Sequence, residues 1–553
     1  MKRVVFLTLA VILAIGLMLG SCGDSEPEPA PSPEPTPTPS PEPTPSPEPS
    51  PGPGPGVECP VNVPGPEPGG VYGGRLKLVG SGNVGNMGNP NEISNPGDAG
   101  YAYPALEGLI TVDEGGNFQP WLAKDWDIAE DGTSITFYLQ ECVDFHDGVH
   151  FNAEAVKVNV DIQIETPAWQ NLKMVKKCEV IDEYTVKFYM DQWDWTMMNS
   201  LSYFFSCMMF SPDALQNQSA EWLRSHPIGT GPFKLVEYNR DMYIKYDRND
   251  DYWRGRPYLD GVDFIFIPDP TTQLLAFKSE EVDMAGINAQ DVEDITAEGF
   301  EMTSTKGWIV GLYPDSNTPE SPLADIRVRR AIDHAIDKQA LADGLGYGYS
   351  RPCDQVFLRE SGGWSPDVVG YPYDLAKAKQ LLTEAGYPDG FKTKFLMVEF
   401  MELDAPIAIQ DMLKKNINVE LEFDRVSMAQ LSFQIATPPG WEGFAFGASP
   451  EATGSDPGNV LVNGTLNNNT TWVGMWQPPE LLELAKKAAS ETDQEKRMKM
   501  YQEISKKQID EYAQCINLYD LTFFSAVNPR VKGHTVGQMG FGTFAFTFAW
   551  LEN

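Results

Sequence analysis

Residues 228–284 read IGTGPFKLVEYNRDMYIKYDRNDDYWRGRPYLDGVDFIFIPDPTTQLLAFKSEEVDM. β-rich runs at 232–238 and 242–247 are separated by polar residues, and a third run at 262–267 is punctuated by Pro268 and Pro270. From Thr271 the spacing turns helical, with Leu274, Leu275 and Lys278 recurring before Glu281 returns the chain to an extended run. The stretch is an α/β unit. Gly229-Thr230-Gly231 does not read as a phosphate loop, because Pro232 stands where a helix N-terminus would have to begin.

Within it, Gly229-Thr230-Gly231-Pro232-Phe233, Arg248-Asn249 with Asp251-Tyr252-Trp253, Pro257-Tyr258-Leu259-Asp260 and Glu281-Val282-Asp283 follow in one order. In these motifs the chain resembles the solute-binding proteins of peptide/nickel-type ABC transporters, the dipeptide- and oligopeptide-binding group of extracellular solute-binding protein family 5. Further blocks at 105–157 and 323–337 match, so the resemblance spans roughly residues 70–524. The match departs at Gln140-Glu141-Cys142, where a basic residue and glycine are usual.

The resemblance implies an α/β, periplasmic-binding-protein-like fold of two lobes joined by a hinge, with a smaller subdomain inserted in the first lobe. The expected bounds are 70–104, 226–312 and 518–553 for lobe I, 105–225 for the insertion and 313–517 for lobe II, with crossings near 308–314 and 515–521. A ligand that touches both lobes favours the closed form. The closed form would dock on a membrane permease driven by ATPase subunits, with no enzymatic step, no ATP and no cofactor in this chain. A sensory receptor of the same fold is the alternative. An anchored secreted hydrolase is a third reading, but no GxSxG or HExxH occurs.

Lys2 and Arg3 precede an apolar run at 4–19 and the sequence Leu19-Gly20-Ser21-Cys22. Residues 1–22 thus resemble a lipoprotein signal peptide with its lipobox. That implies Cys22 as lipid anchor and a location outside the cytoplasm, on the outer face of the cell membrane or in the periplasm. Residues 23–69 read as a Pro-rich stalk. Its core, 26–56, contains only Pro, Glu, Ser, Thr, Ala and Gly. Polyproline II at ~3.1 Å per residue would let that core reach about 95 Å. The net charge of −37 excludes nucleic acid as a partner. Beyond Cys22, the cysteines at 59, 142, 178, 207, 353 and 515 allow up to three disulfides.

The Gly/Asn/Pro-rich segment 81–100 follows the first strand and reads as a cleft-lining loop, with Asn83 and Asn86 as ligand contacts. Residues 441–462 resemble a further family block. In peptide-binding members an aspartate three residues before an Asp-Pro pair grips the peptide's free amine. Counting back from Asp456-Pro457, that place holds Thr453, whose neutral hydroxyl supplies no charge-assisted bond. Glu451 substitutes only if the loop is offset by two residues. The resulting ligand set is Asn83, Asn86, Trp441, Glu451, Thr453, Asp456, Trp472 and Trp476. The tryptophans would stack on a ring or sugar face, or else fill a core.

Cys142, His146 and His150 raise a zinc reading, but Asp147-Gly148 breaks any helix that would align them. Asp131-Gly132 signals a hairpin, Asn152 a helix cap, 179–190 a single strand and 193–210 a buried, methionine-rich segment. Val328, Ile332, Ala335 and Ile336 share one helical face, with the arginines expected outward or on acids. Helices are expected at 375–385, 405–416, 481–489 and 495–512, and strands at 394–398, 417–423, 513–526 and within 541–550.

Overall fold

The computed structural model describes residues 65–66, 68–80, 82, 84–92, 100–113, 117–165, 172, 174–203, 207–450, 456–466, 472–534 and 546–552. The expected signal peptide, Cys22 and most of the stalk lie outside these residues.

The chain enters through β1 (Arg75–Gly80), whose alternation sends Leu76 and Leu78 to one core and Val79 to another. β2 (Ile110–Val112) and β3 (Phe118–Pro120) form a short hairpin. β4 (Ala123–Ile128), β5 (Ser134–Leu139), β6 (Val175–Asp182) and β7 (Thr185–Met190) make an antiparallel sheet in the order β4-β5-β7-β6. Gly132 has the positive φ of 67° that the β4–β5 turn needs. Residues 179–190 are two strands, not the expected one. The Asp182 carboxylate accepts the Tyr184 N–H at 3.0 Å and turns the chain back on itself.

Asn152 caps the helix Ala153–Glu165, its Oδ1 accepting the Ala155 N–H at 3.0 Å. Val156 and Val160 on that helix share a core with Phe137 and Phe188 of the small sheet. The helix Thr196–Tyr203 adds Met197, Met198 and Leu201 to the same core, so the methionine-rich segment is packing.

The opening motif stretch forms β8 (Phe233–Asn239), β9 (Tyr243–Arg248), β10 (Gly261–Phe266), the helix Pro270–Lys278 and β11 (Met284–Ile287). β12 (Glu301–Pro314), β13 (Phe391–Val398), β14 (Val419–Val426), β15 (Phe444–Pro450) and β16 (Ile516–Val527) complete a ten-stranded sheet. Its order is β14-β13-β15-β12-β16-β11-β1-β10-β9-β8. β17 (Val531–Lys532) pairs with β18 (Trp550–Leu551). Of the strand expected within 541–550, only Trp550 is extended among the described residues; 546–548 form a turn.

β12 and β16 belong to both halves of the sheet. Residues 301–306 pair with 522–527, which lie beside β11, whereas 308–312 pair with 516–521 and 308–314 also pair with β15. The register slips between Lys306 and Trp308, where the neighbours change, and such a slip bends a strand.

Helix Ile326–Ala335 buries Val328, Ile332 and Ala335, and Ile336 follows them into the core. Arg327 pairs with Asp325 at 2.5 Å as expected of a local ion pair. Arg329 does not point outward. It is buried and donates to the carbonyls of Leu323, Ala324, Tyr512 and Ala513 at 2.8–3.0 Å, groups that a turn and a helix end leave without partners. Burial pulls its guanidinium down to about 10.

Cys142 is disulfide-bonded, while Cys178, Cys207, Cys353 and Cys515 are in no disulfide. Of the up to three disulfides that the six cysteines allow, the described residues take part in one, at Cys142. Burial pushes the thiols of Cys178, Cys353 and Cys515 up to about 12.

Candidate functional site

In open α/β sheets, ligands bind outside the carboxyl ends of the strands. Here two sets of carboxyl ends approach one place. The register Leu78↔Met284↔Val527↔Glu301 runs β1 toward the β12 slip from one side, and Pro450↔Trp308 brings β15 to it from the other. Asn83 and Asn86 follow Gly80 at the end of β1; Glu451 and Thr453 follow Pro450 at the end of β15. Asn83, Glu451 and Thr453 lie outside the described residues.

Asn86 is buried and organises its own loop. Its Nδ2 donates to the Asn89 and Glu92 carbonyls at 2.7 and 2.9 Å, and its Oδ1 accepts the Asn89 N–H at 2.9 Å. The three tryptophans divide. Trp441 is buried, donates its indole N–H to the Tyr313 carbonyl at 3.0 Å and meets Trp472 edge-on at 5.7 Å. Trp472 stacks on the Tyr313 ring at 3.9 Å. Tyr313 is thus part of the aromatic group, although no motif marked it. Trp476 stands apart, 40% exposed and edge-on to Tyr512 at 5.5 Å. It lines a separate cavity of about 400 Å³ with Asn317, Met475 and Leu482.

Asp456 is not open to a ligand. It is wholly buried, with Arg497 Nε on its carboxylate at 2.5 Å, the Tyr501 hydroxyl at 2.8 Å and the Gly458 N–H at 2.9 Å. Protein donors engage both oxygens. Arg497 and Tyr501 lie 41 and 45 residues away on the helix Gln494–Lys506, and no sequence signal links them to Asp456.

Three of the four motifs of the opening stretch supply residues to two buried carboxylate networks. Glu107 is fully buried and accepts from Trp121 Nε1 at 2.9 Å, Thr230 Oγ1 at 2.7 Å, the Tyr252 hydroxyl at 2.6 Å and Trp253 Nε1 at 2.8 Å. Burial raises its proton affinity and the four donors oppose that. Asp283, also buried, accepts the Lys77 N–H at 2.8 Å and pairs with Arg530.

The zinc triad is dispersed. His146 Nε2 donates to the Gly231 carbonyl at 2.9 Å, and His150 bonds Asp144 at 2.7 Å and the Tyr184 hydroxyl at 2.9 Å. Cys142 is in its disulfide. Burial pulls His146 from 6.5 down to about 4. A depressed histidine binds fewer protons folded than unfolded. Its contribution is therefore present above pH 6.5 and lost as the pH falls toward 4. We expect the stability gap between wild type and His146→Gln, whose amide still reaches Gly231, to shrink by about 1–2 kcal/mol from pH 7 to pH 4.5. Urea melts at several pH values read it, and a constant gap would refute it.

Residues 117–456 match the family model "Bacterial extracellular solute-binding proteins, family 5 Middle". This chain belongs to that family of binding proteins, and its fold is two α/β lobes joined by a hinge with a smaller inserted subdomain. Heme-binding protein A of Haemophilus influenzae is 27% identical over 77% of this chain and 83% of its own length. The glutathione-binding protein GsiB of Pectobacterium atrosepticum is 33% identical over 52% of this chain and 56% of its own length. In structure, the chain is similar to DppA from Helicobacter pylori in complex with the peptide STSA. The TM-score is 0.77 at 24% identity, over 87% of this chain and 99% of that one. AppA from Bacillus subtilis in complex with a nonapeptide gives 0.74 at 22%, over 88% and 100%.

Proposed function

We propose that this protein is a lipid-anchored extracytoplasmic receptor that captures a small organic solute, a peptide or peptide-like molecule, by lobe closure and delivers it to an ABC importer. The observation that carries this reading is the approach of the β1 and β15 carboxyl ends to the slip in β12 from opposite sides. A ligand held there touches both halves of the sheet and so favours the closed state. The halves are residues 70–104, 226–312 and 518–553 on one side and 313–517 on the other, with 105–225 as the insertion. The hinge crossings fall near 308–314 and 515–521, next to the register slip in β12. Asn83, Asn86, Glu451, Thr453, Trp441 and Trp472 line or support the cleft, and Cys22 carries the lipid at the end of the stalk.

Native mass spectrometry of the purified protein is expected to find a solute that is released chemically unchanged. A solute consumed on incubation would overturn the reading. A charge-assisted bond to a free amine contributes about 1.5–3 kcal/mol, and Thr453 cannot form one. Trialanine and its N-acetylated form are therefore expected to bind within about threefold of each other by calorimetry. A preference for the free amine above about tenfold would assign Glu451 or another acid to the amine.

A further inference from the structure

Two of the hydrophobic cores meet along a seam far from the hinge strands. On one side stand Trp195 and Asn199, on or beside the helix Thr196–Tyr203, whose Met197, Met198 and Leu201 are fixed in the core of the inserted subdomain. On the other stand Asp456, the end of the helix Pro479–Ser490, and Arg497, in a half whose core contains Ala485, Ala488 and Tyr501. The Trp195 N–H donates to the Ala489 carbonyl at 2.9 Å and its indole N–H to the Glu491 carbonyl at 3.0 Å. Asn199 Nδ2 donates to the Asp456 carbonyl at 2.8 Å, and the Arg497 guanidinium lies 4.3 Å over the Trp195 ring.

The subdomain supplies the hydrogen-bond donors, and the other side supplies main-chain carbonyls. The Ala489 and Glu491 carbonyls lie at a helix C-terminus, where acceptors lack intrahelical partners. Asn199 and Asp456 are 0% exposed, so water is excluded at the centre of the seam. Separating the halves would re-wet every one of these groups, and water would take the donors' place, which keeps the contact reversible. Asn199 Oδ1 is buried with no hydrogen-bond partner, a penalty carried by the joined state that opening would relieve.

We infer that Trp195 and Asn199 form a clasp that sets the closed-to-open balance of the two lobes without touching the ligand, an inference that rests on the lobe closure proposed above.

Small-angle X-ray scattering of the full chain tests it, alone and with a tryptone peptide digest as probe. The variant Trp195→Ala with Asn199→Ala is expected to lower the closed-to-open ratio about tenfold. It should show a larger radius of gyration than wild type in both conditions, with circular dichroism unchanged. Trp195→Phe keeps the ring over Arg497 and loses only the indole N–H, so it should fall between them. Coincident scattering of wild type and a folded double variant in both conditions overturns the clasp. If the double variant does not fold, Trp195→Phe decides the matter by the same comparison. Compaction of wild type by the digest is scored separately and tests the closure reading, so the two failures are distinguishable.

Discussion

Replacing Glu107 by alanine is expected to lower folding stability by about 4 kcal/mol, among the largest effects a single substitution produces. The change leaves two indole N–H groups and two hydroxyls, from Trp121, Trp253, Tyr252 and Thr230, without the carboxylate they share. Each buried donor left unpaired costs about 1–3 kcal/mol, and those that reach water after the change cost less. Glu107→Gln keeps one oxygen but turns an amide NH₂ toward two donors, so about half the loss is expected. Guanidinium melts measure both. A Glu107→Ala protein within about 1 kcal/mol of wild type would show that the four donors find other partners.

Asp456→Ala is expected to cost about 3–5 kcal/mol, because it strands the buried Arg497 guanidinium. The pair is diagnostic through its cycle. Adding Arg497→Met removes the stranded charge, and the double variant is expected to recover at least half of the loss. A ligand-contacting aspartate behaves in the opposite way, losing affinity while the melting curve stays put. Asp456→Asn therefore separates the two roles: loss of solute binding at unchanged stability would return Asp456 to the ligand set.

Local pattern carried far into this fold, and it stopped where partners are distant in sequence. The helix from 153 to 165, its Asn152 cap, the buried face of Val328, Ile332 and Ala335, and the order of elements from Phe233 to Ile287 all follow from spacing and turn chemistry. Such signals act over a few residues, which periodicity captures. The pairing of 301–314 with 516–527 joins segments more than 200 residues apart, and no local rule selects it. The same limit hid Arg329, whose helix position looks solvent-facing until the carbonyls of Tyr512 and Ala513 arrive beside it.

The ligand set shows the limit most clearly. Trp472 and Trp476 are equivalent on paper, four residues apart. A left-handed backbone at Trp472, φ 57°, accompanies its stacking on Tyr313, while Trp476 turns to Tyr512. Asp456 reads from the sequence as a ligand contact, yet its carboxylate is held by Arg497, the Tyr501 hydroxyl and the Gly458 N–H. The quoted motif residues Thr230, Tyr252 and Trp253 gather round Glu107, a partner more than 120 residues earlier in the chain.

The position of β16 also bears on how the chain is made. This strand lies between β11 and β12, in the interior of the ten-stranded sheet, yet it begins at residue 516 of 553. Until it emerges, the edges of β11 and β12 that it pairs with have no partner, and the sheet cannot join its two parts. The two parts of the sheet therefore stay unjoined in the nascent chain until residues 516–527 have been made. Arrival of that one strand then pairs β11 and β12 at once, so a single late segment joins the sheet.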